Sequence, residues 1–136
     1  MNATDPRIER LLVMLDDLDA DVDETIDLAD ELAATGDPSL LPHLEAGLDR
    51  ALTDRNFYAR EVLGGMIGTI GGPDTLPLLV RASAVDLGDD QDGLATEIAD
   101  LVTADPKKAR TLLQPLLTDD DLTVVNRADW ALRFAG

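Results

Sequence analysis

The 136-residue sequence predicts an all-α protein in which two-helix repeats stack into a short α-solenoid. Proline-containing signals for a helix start recur at a regular interval, and the prolines of these signals lie 32, 35 and 33 residues apart. Apolar residues follow each signal at the three- and four-residue spacing of a helix. No segment shows the strict alternation of a strand, so the pattern favours helices over sheets.

Four helix-start signals divide the chain into repeats. They are Asp5-Pro6, Asp37-Pro38, Pro73-Asp74 and Asp105-Pro106. Aspartate can cap the free amides at a helix start, and proline is tolerated at the first helical position. The spacing predicts one domain over 1–136, with repeats over approximately 1–36, 37–71, 72–104 and 105–136.

Each repeat holds two helices, which gives about eight antiparallel helices in all. Apolar residues such as Leu41, Leu44 and Leu48 mark the first helices. The second helices are predicted at roughly 23–35, 55–70, 91–104 and 121–135, and most end near a glycine. Pro115, inside the first helix of the last repeat, should kink that helix.

The repeats resemble those of the HEAT family, including its phycobilin-lyase-like members, most clearly in the last repeat from Asp105-Pro106 to Leu132. The resemblance implies a right-handed superhelix whose second helices line the concave face. It also implies an aspartate before each second helix and an arginine six residues later. The matching pairs are Asp54/Arg60 and Asp121/Arg127, whereas the other two repeats carry Asp21/Asp27 and Asp90/Thr96. Between neighbouring repeats, Asp21 could reach Arg60 and Asp90 could reach Arg127.

Aligning the second helices on these aspartates predicts a buried stripe 5, 8 and 12 residues after each one. The stripe is apolar in three repeats, which carry Ile26, Ala29, Ala33, Ala59, Val62, Met66, Ala95, Ile98 and Val102. In the fourth repeat it becomes Asn126, Asp129 and Arg133, as a terminal cap of a solenoid requires.

The same alignment predicts an exposed stripe on the concave face. Its candidate partner-binding residues, joined by the single tryptophan, are Glu24, Asp27, Glu31, Phe57, Arg60, Glu61, Glu97, Asp100, Arg127 and Trp130. Trp130 could instead be buried against the third repeat. Three glycines of one helix, Gly64, Gly65 and Gly68, indicate close packing or the close approach of a partner.

The formal charge is −17, from 22 Asp and 6 Glu against 9 Arg and 2 Lys. Such a surface repels phosphate backbones and anionic membranes, so neither nucleic acid nor a membrane is an expected partner. The four repeats carry −9, −2, −6 and 0, so a basic partner should favour the N-terminal half. Acidity could also serve solubility or reflect a high-salt source.

Catalytic and metal-binding signals are weak. There is no cysteine, and His43 has no nucleophile at a suggestive spacing. Of the two aspartate runs, 17–23 and 86–92, the first lacks the glycine and the glutamate that a calcium-binding EF-hand needs at its sixth and twelfth positions. Both runs are better explained as capped loops between helices. We therefore expect no catalytic residues, no metal and no cofactor.

The sequence thus predicts a non-catalytic module that binds a basic protein or peptide through an acidic concave groove. An immunity or inhibitor protein against a nuclease-type toxin, and a regulatory scaffold, are the two versions considered. The alternative is a HEAT-like enzyme, such as a lyase acting on a small ligand. A cytoplasmic location is expected because no signal or membrane span is visible, and a monomer is favoured although the oligomeric state is open.

Overall fold

The computed structural model describes residues 6–17, 19–87 and 94–136 of the chain. Every regular element among these residues is a helix, which confirms the all-α class. The α-helices are α1 (Pro6–Asp16), α2 (Val22–Ala34), α3 (Leu41–Thr53), α4 (Phe57–Gly71), α5 (Leu76–Ala84), α6 (Ala95–Ala104), α7 (Pro106–Leu113) and α8 (Leu122–Leu132). Short 3-10 segments cover Pro38–Leu40, Gly72–Thr75, Gln114–Thr118 and Arg133–Ala135.

Aspartate side chains cap several of these helices. Asp21 and Asp105 each accept the backbone N–H three residues later, at 3.1 and 3.2 Å, where α2 and α7 begin. Asp37 caps the 3-10 segment that precedes α3. These bonds satisfy amides that have no partner within the helix. The helix starts predicted at Asp37 and Asp105 are therefore confirmed, while Asp5 lies outside the described residues.

The start of α4 corrects the sequence alignment. Asp54 lies at the end of α3, where its Oδ2 is 3.5 Å from Nε of Arg50. Asn56 caps α4 instead, because its Oδ1 accepts the N–H of Ala59 at 3.0 Å. Its Nδ2 donates to the carbonyl of Leu15 in α1, also at 3.0 Å. The alignment on Asp54 was two residues early, since asparagine caps a helix as well as aspartate does.

Consecutive helices pack in pairs, α1 with α2, α3 with α4, α5 with α6 and α7 with α8. The second members also pack in series, α2 against α4, α4 against α6 and α6 against α8. One cluster of buried aliphatic side chains runs through all of these contacts, from Ile8 in α1 to Ala135 near the C-terminus. Burial of this cluster is the main stabilising contribution to the fold.

The predicted buried stripe of the second helices is confirmed at five of its nine apolar positions. Ala29, Ala59, Met66, Ile98 and Val102 are buried. The other four depart from the prediction: Ile26 is 36% exposed, and Ala33, Val62 and Ala95 are only partly buried. In the last repeat the corresponding residues are all exposed: Asn126 and Asp129 in α8, and Arg133 in the 3-10 segment that follows it.

The last two helices end earlier than expected. The kink predicted at Pro115 is an end of the α-helix, because α7 stops at Leu113 and continues as 3-10 structure over Gln114–Thr118. Proline has no N–H to donate to the helical ladder. In α8 the α-helix stops at Leu132, and the final turn is again 3-10.

Helix α4 holds both described ends of the connection between α5 and α6. Arg60 Nη1 donates to the carbonyl of Val85 at 3.0 Å, and Glu61 Oε2 accepts the N–H of Leu94 at 2.9 Å. Leu94 has a positive φ of 56° at the start of α6. Its side chain packs onto Gly64, where a Cβ would lie 2.5 Å from a Leu94 methyl carbon. Gly64 therefore serves close packing, one of the two roles expected for it.

Candidate functional site

A groove with a volume of about 370 Å³ runs between α2, α4 and α6, and we call it the acidic groove. Its apolar residues include Ile26, Val62 and Met66, and its carboxylates are Asp30, Glu61, Glu97 and Asp100. Among the described residues that line it there is no lysine, arginine or histidine. The groove therefore joins apolar surface to concentrated negative charge.

Glu61 is the carboxylate with the most unusual environment in this groove. Its side chain is 33% exposed, and burial raises its pKa above the ordinary value. The N–H of Leu94 and the positive charge of Arg60 oppose this rise, whereas the negative charge of Glu97 adds to it. The ionised form of Glu61 is thus penalised by burial and by a neighbouring like charge. A cation placed between Glu61 and Glu97 would relieve that repulsion.

Three predicted acidic residues of α2 lie outside the acidic groove. Glu24 Oε1 is 2.8 Å from Nη2 of Arg10, and Glu31 Oε2 is 3.7 Å from Nη1 of Arg7. Both arginines belong to α1, so the two glutamates lie on the α1 side of α2. Asp27 is exposed and is likewise absent from the described groove lining. The expected stripe was rotated on α2 by about one residue, or about 100°.

Sequence reasoning missed Asp30, which α2 contributes to the groove. It lies four residues after Ile26, which also lines the groove, so both occupy one face of the helix. A signal was present in the sequence, because an aspartate adjoining an apolar helical stripe lies at the edge of the buried surface. The direction of that edge depends on how α2 packs against α4.

Arg60 is the clearest error in the predicted site. It was expected on the exposed concave face, but it is only 2% exposed. Because α4 begins after Asn56, Arg60 lies in the first turn and is directed to the α5–α6 connection, where it donates to Val85. Its suggested partner Asp21 uses its carboxylate to cap α2. The other suggested ladder residue, Asp90, lies outside the described residues.

Arg127 and Trp130 form a separate cluster near the C-terminus. Arg127 Nε donates to Ser83 Oγ of α5 at 3.0 Å, and its Cζ lies 3.9 Å from the Trp130 ring centroid. Phe134 meets the same ring edge-on, with 5.1 Å between ring centroids. Trp130 is partly buried against the core. Its ring is thus held by packing and by a cation–π contact, outside the acidic groove.

His43 and the two aspartate runs are the residues that the sequence offered for catalysis or metal binding. His43 is exposed on α3. No group of three or more potential metal-binding side chains occurs within 6–17, 19–87 and 94–136. In the first aspartate run, Asp17 accepts the N–H of Asp19 at 2.9 Å and Asp21 caps α2, so that run does form a capped loop. Most of the second run, 88–92, lies outside the described residues.

The helices of the described part of the chain are all too short or too polar to cross a membrane. Of the predicted partner-binding residues, the structure brings Glu61, Glu97 and Asp100 together in the acidic groove. Phe57 is exposed as expected and lies one helical turn before Glu61.

Comparison of the chain with models of protein families, with curated proteins and with solved structures found no match.

Proposed function

We propose that this chain is a non-catalytic binding module that accepts a cationic segment of a partner protein in the acidic groove. The observation that supports the proposal is the groove lining, which holds four carboxylates beside apolar side chains and, among the described residues, no basic one. Of the four, only Glu61 has a described arginine contact, with Arg60 Nη2 at 3.4 Å from its Oε1. Four carboxylates against one arginine leave an excess of negative charge, which favours a ligand of opposite charge.

Lysine and arginine side chains match both parts of this lining. Their aliphatic stems can lie on Ile26, Val62 and Met66 while the charged head reaches the carboxylates. Hydrogen bonds between ionised partners are shorter and stronger than neutral ones. A volume of about 370 Å³ lies within the usual range of ligand pockets and accommodates one long side chain with its backbone.

A HEAT-like α-solenoid is the architecture that we propose for the helix pairs. The serial packing of α2, α4, α6 and α8 supports it, as does the change from an apolar to a polar stripe in α8. In a solenoid, the second helices of successive repeats form one extended binding surface. The acidic groove, which lies between three second helices, would then belong to the concave face.

The charge of −17 adds long-range attraction to this short-range fit. Electrostatic steering accelerates association with a basic partner and is weakened by salt. An immunity or inhibitor protein that covers the basic active site of a nuclease-type toxin would use this property directly. A regulatory scaffold that holds a basic segment of a larger complex would use the same groove.

The test is the affinity of the chain for a fluorescein-labelled decapeptide of alternating lysine and glycine, measured by fluorescence anisotropy. The double variant Glu97→Gln/Asp100→Asn removes two groove charges. We expect it to bind about tenfold more weakly, because two partly solvent-exposed ion pairs, worth about 0.2–1 kcal/mol each, are lost. Circular dichroism should show unchanged helical content.

The matched control is Glu9→Gln/Glu45→Gln, which removes two exposed charges from α1 and α3, outside the groove. It lowers the net negative charge by the same amount, so it should weaken binding by no more than about twofold through the long-range field. Equal losses in the two variants would show that only net charge matters and would overturn the groove.

A further inference from the structure

A second cavity, of about 580 Å³, opens where α1 and α3 end and α2 and α4 begin, and we call it the end cavity. Its lining includes five large apolar or aromatic side chains, those of Met14, Leu15, Val22, Phe57 and Tyr58. Three carboxylates and two guanidinium groups also line it, from Asp16, Asp17, Asp54, Arg50 and Arg55. The cavity is therefore an apolar recess with a slightly negative rim.

Two large apolar side chains at this cavity remain open to solvent. Val22 is 58% exposed and Phe57 is 45% exposed, and each occupies the first position of its helix. Exposed apolar residues scattered singly need no explanation, but two that line one concave site indicate a binding surface. Phe57 is also large and has few rotamers, so little conformational entropy is lost when it contacts a ligand.

The end cavity and the acidic groove share two helices. On α4, Phe57 lines the cavity, and Glu61, four residues later, lines the groove. On α2, Val22 and Ile26 have the same relation. Four residues of a helix span about 6 Å, and they lie on one face. The two recesses are thus consecutive along a single surface, with the apolar one at the N-terminal ends of α2 and α4.

The charges at the end cavity decide what kind of segment can enter it. Arg50 is neutralised locally, because its side chain lies 3.1 Å from Asp16 and 3.5 Å from Asp54. With Asp17 and Arg55 included, the lining holds three carboxylates and two guanidinium groups, and this excess of negative charge disfavours an acidic segment. The adjoining acidic groove repels one. A basic segment is attracted to this end of the molecule by the −9 carried by residues 1–36.

We infer that the end cavity binds a large apolar side chain of the same cationic segment that occupies the acidic groove. This inference rests on the proposed function. It specifies the partner as a segment in which a phenylalanine, leucine or similar residue accompanies the basic ones. An extended chain advances about 3.3 Å per residue, so a separation of about 6 to 12 Å places the apolar residue two to four positions from the basic one.

The experiment uses the alternating lysine–glycine decapeptide with each glycine replaced in turn by phenylalanine, so that every probe has the same charge. Phenylalanine at a matching position should tighten binding about tenfold, because full burial of its side chain corresponds to more than a tenfold change in affinity. The ratio of the affinities with and without phenylalanine should persist at 0.5 M NaCl, since apolar burial is not screened by salt.

Two variants locate the effect. In Phe57→Ser the phenylalanine-containing probes should bind no more tightly than the lysine–glycine probe, so the gain from phenylalanine should be abolished. The control Leu122→Ser removes an apolar side chain that is 72% exposed at the equivalent position of α8, and it should keep the gain. Circular dichroism confirms that both variants fold.

The outcomes separate the two proposals. If the lysine–glycine probe binds through the acidic groove but no phenylalanine position improves affinity, the inference about the end cavity is wrong while the proposed function stands. A gain that survives Phe57→Ser places the apolar side chain elsewhere and also overturns the inference. If no probe binds at low salt, the proposed function itself fails.

Discussion

Two adjacent glycines of α4 should respond in opposite directions to the same substitution. A Cβ added at Gly64 would lie 2.5 and 2.7 Å from the two methyl carbons of Leu94 and 3.2 Å from its Cγ. A Cβ added at Gly65 would meet nothing closer than Oε1 of Glu97, at 3.7 Å, which is ordinary van der Waals contact. Gly64→Ala and Gly65→Ala therefore share the gain in helix propensity and differ in packing.

The expected magnitudes follow from these distances. Alanine in place of glycine in a helix interior stabilises by about 1 kcal/mol, and Gly65→Ala should keep most of that gain. Leu94 is 2% exposed and its N–H is bound by Glu61, so it has little room to withdraw. Overpacking costs about 1–3 kcal/mol, and contacts that extend to Cγ favour the upper half of that range. Gly64→Ala should thus destabilise by about 1–2 kcal/mol net.

Urea unfolding followed by circular dichroism measures both free energies of unfolding, and a thermal scan should show shifts of about 3–5 °C per kcal/mol for a chain of this size. The double variant Gly64→Ala/Leu94→Ala tests the contact itself. It should be more stable than the sum of the single effects, because truncating Leu94 makes room for the new Cβ. An increase in stability from Gly64→Ala, similar to that from Gly65→Ala, would refute the packing argument.

Two further predictions concern α4 and its neighbours. Asn56→Ala should lower the free energy of unfolding by about 2 kcal/mol, because it removes both the cap of α4 and the hydrogen bond to Leu15. The control Asp54→Ala should be nearly neutral in the same urea titration. A larger loss of stability from Asp54→Ala than from Asn56→Ala would restore the original alignment. The pKa of Glu61 is raised in the folded chain, so the folded state binds that proton more readily than the unfolded state. Wild type should therefore lose stability, relative to Glu61→Gln, as the pH rises from about the ordinary value of 4.5 through the raised pKa. Urea midpoints that change in parallel between pH 4 and 7 would contradict this.

Helix capping and apolar spacing predicted the features of the fold that depend only on residues close together in the chain. The starts at Asp37 and Asp105 follow from side-chain capping, and the buried face of α6 follows from apolar spacing. Neither needs knowledge of a neighbouring helix. The polar face of α8 was also predictable, because its residues interrupt a pattern that the earlier second helices share.

The candidate site was only partly predictable, because its residues are selected by how helices are turned against one another. On α4, Ala59 and Met66 are buried as expected, but Arg60 is buried too, because its guanidinium turns towards the α5–α6 connection and donates to Val85, a long-range contact that the helical spacing does not reveal. The pairing of Glu24 and Glu31 with arginines of α1 is a long-range contact that no spacing reveals. Asp30 lines the groove because of how α2 is turned against α4, which is also a long-range feature.

The carboxylate of Glu61 has two roles. One of its oxygens accepts the N–H of Leu94, and the same group lines the acidic groove. A cation bound in the groove would compete with the Leu94 N–H for the carboxylate of Glu61 and so weaken that hydrogen bond. The exchange of the Leu94 amide proton with solvent deuterium is thus a natural reporter of groove occupancy. The single NMR resonance of this amide would follow binding without any label on the partner. It would also report on the stability of the first turn of α6, which begins after Leu94.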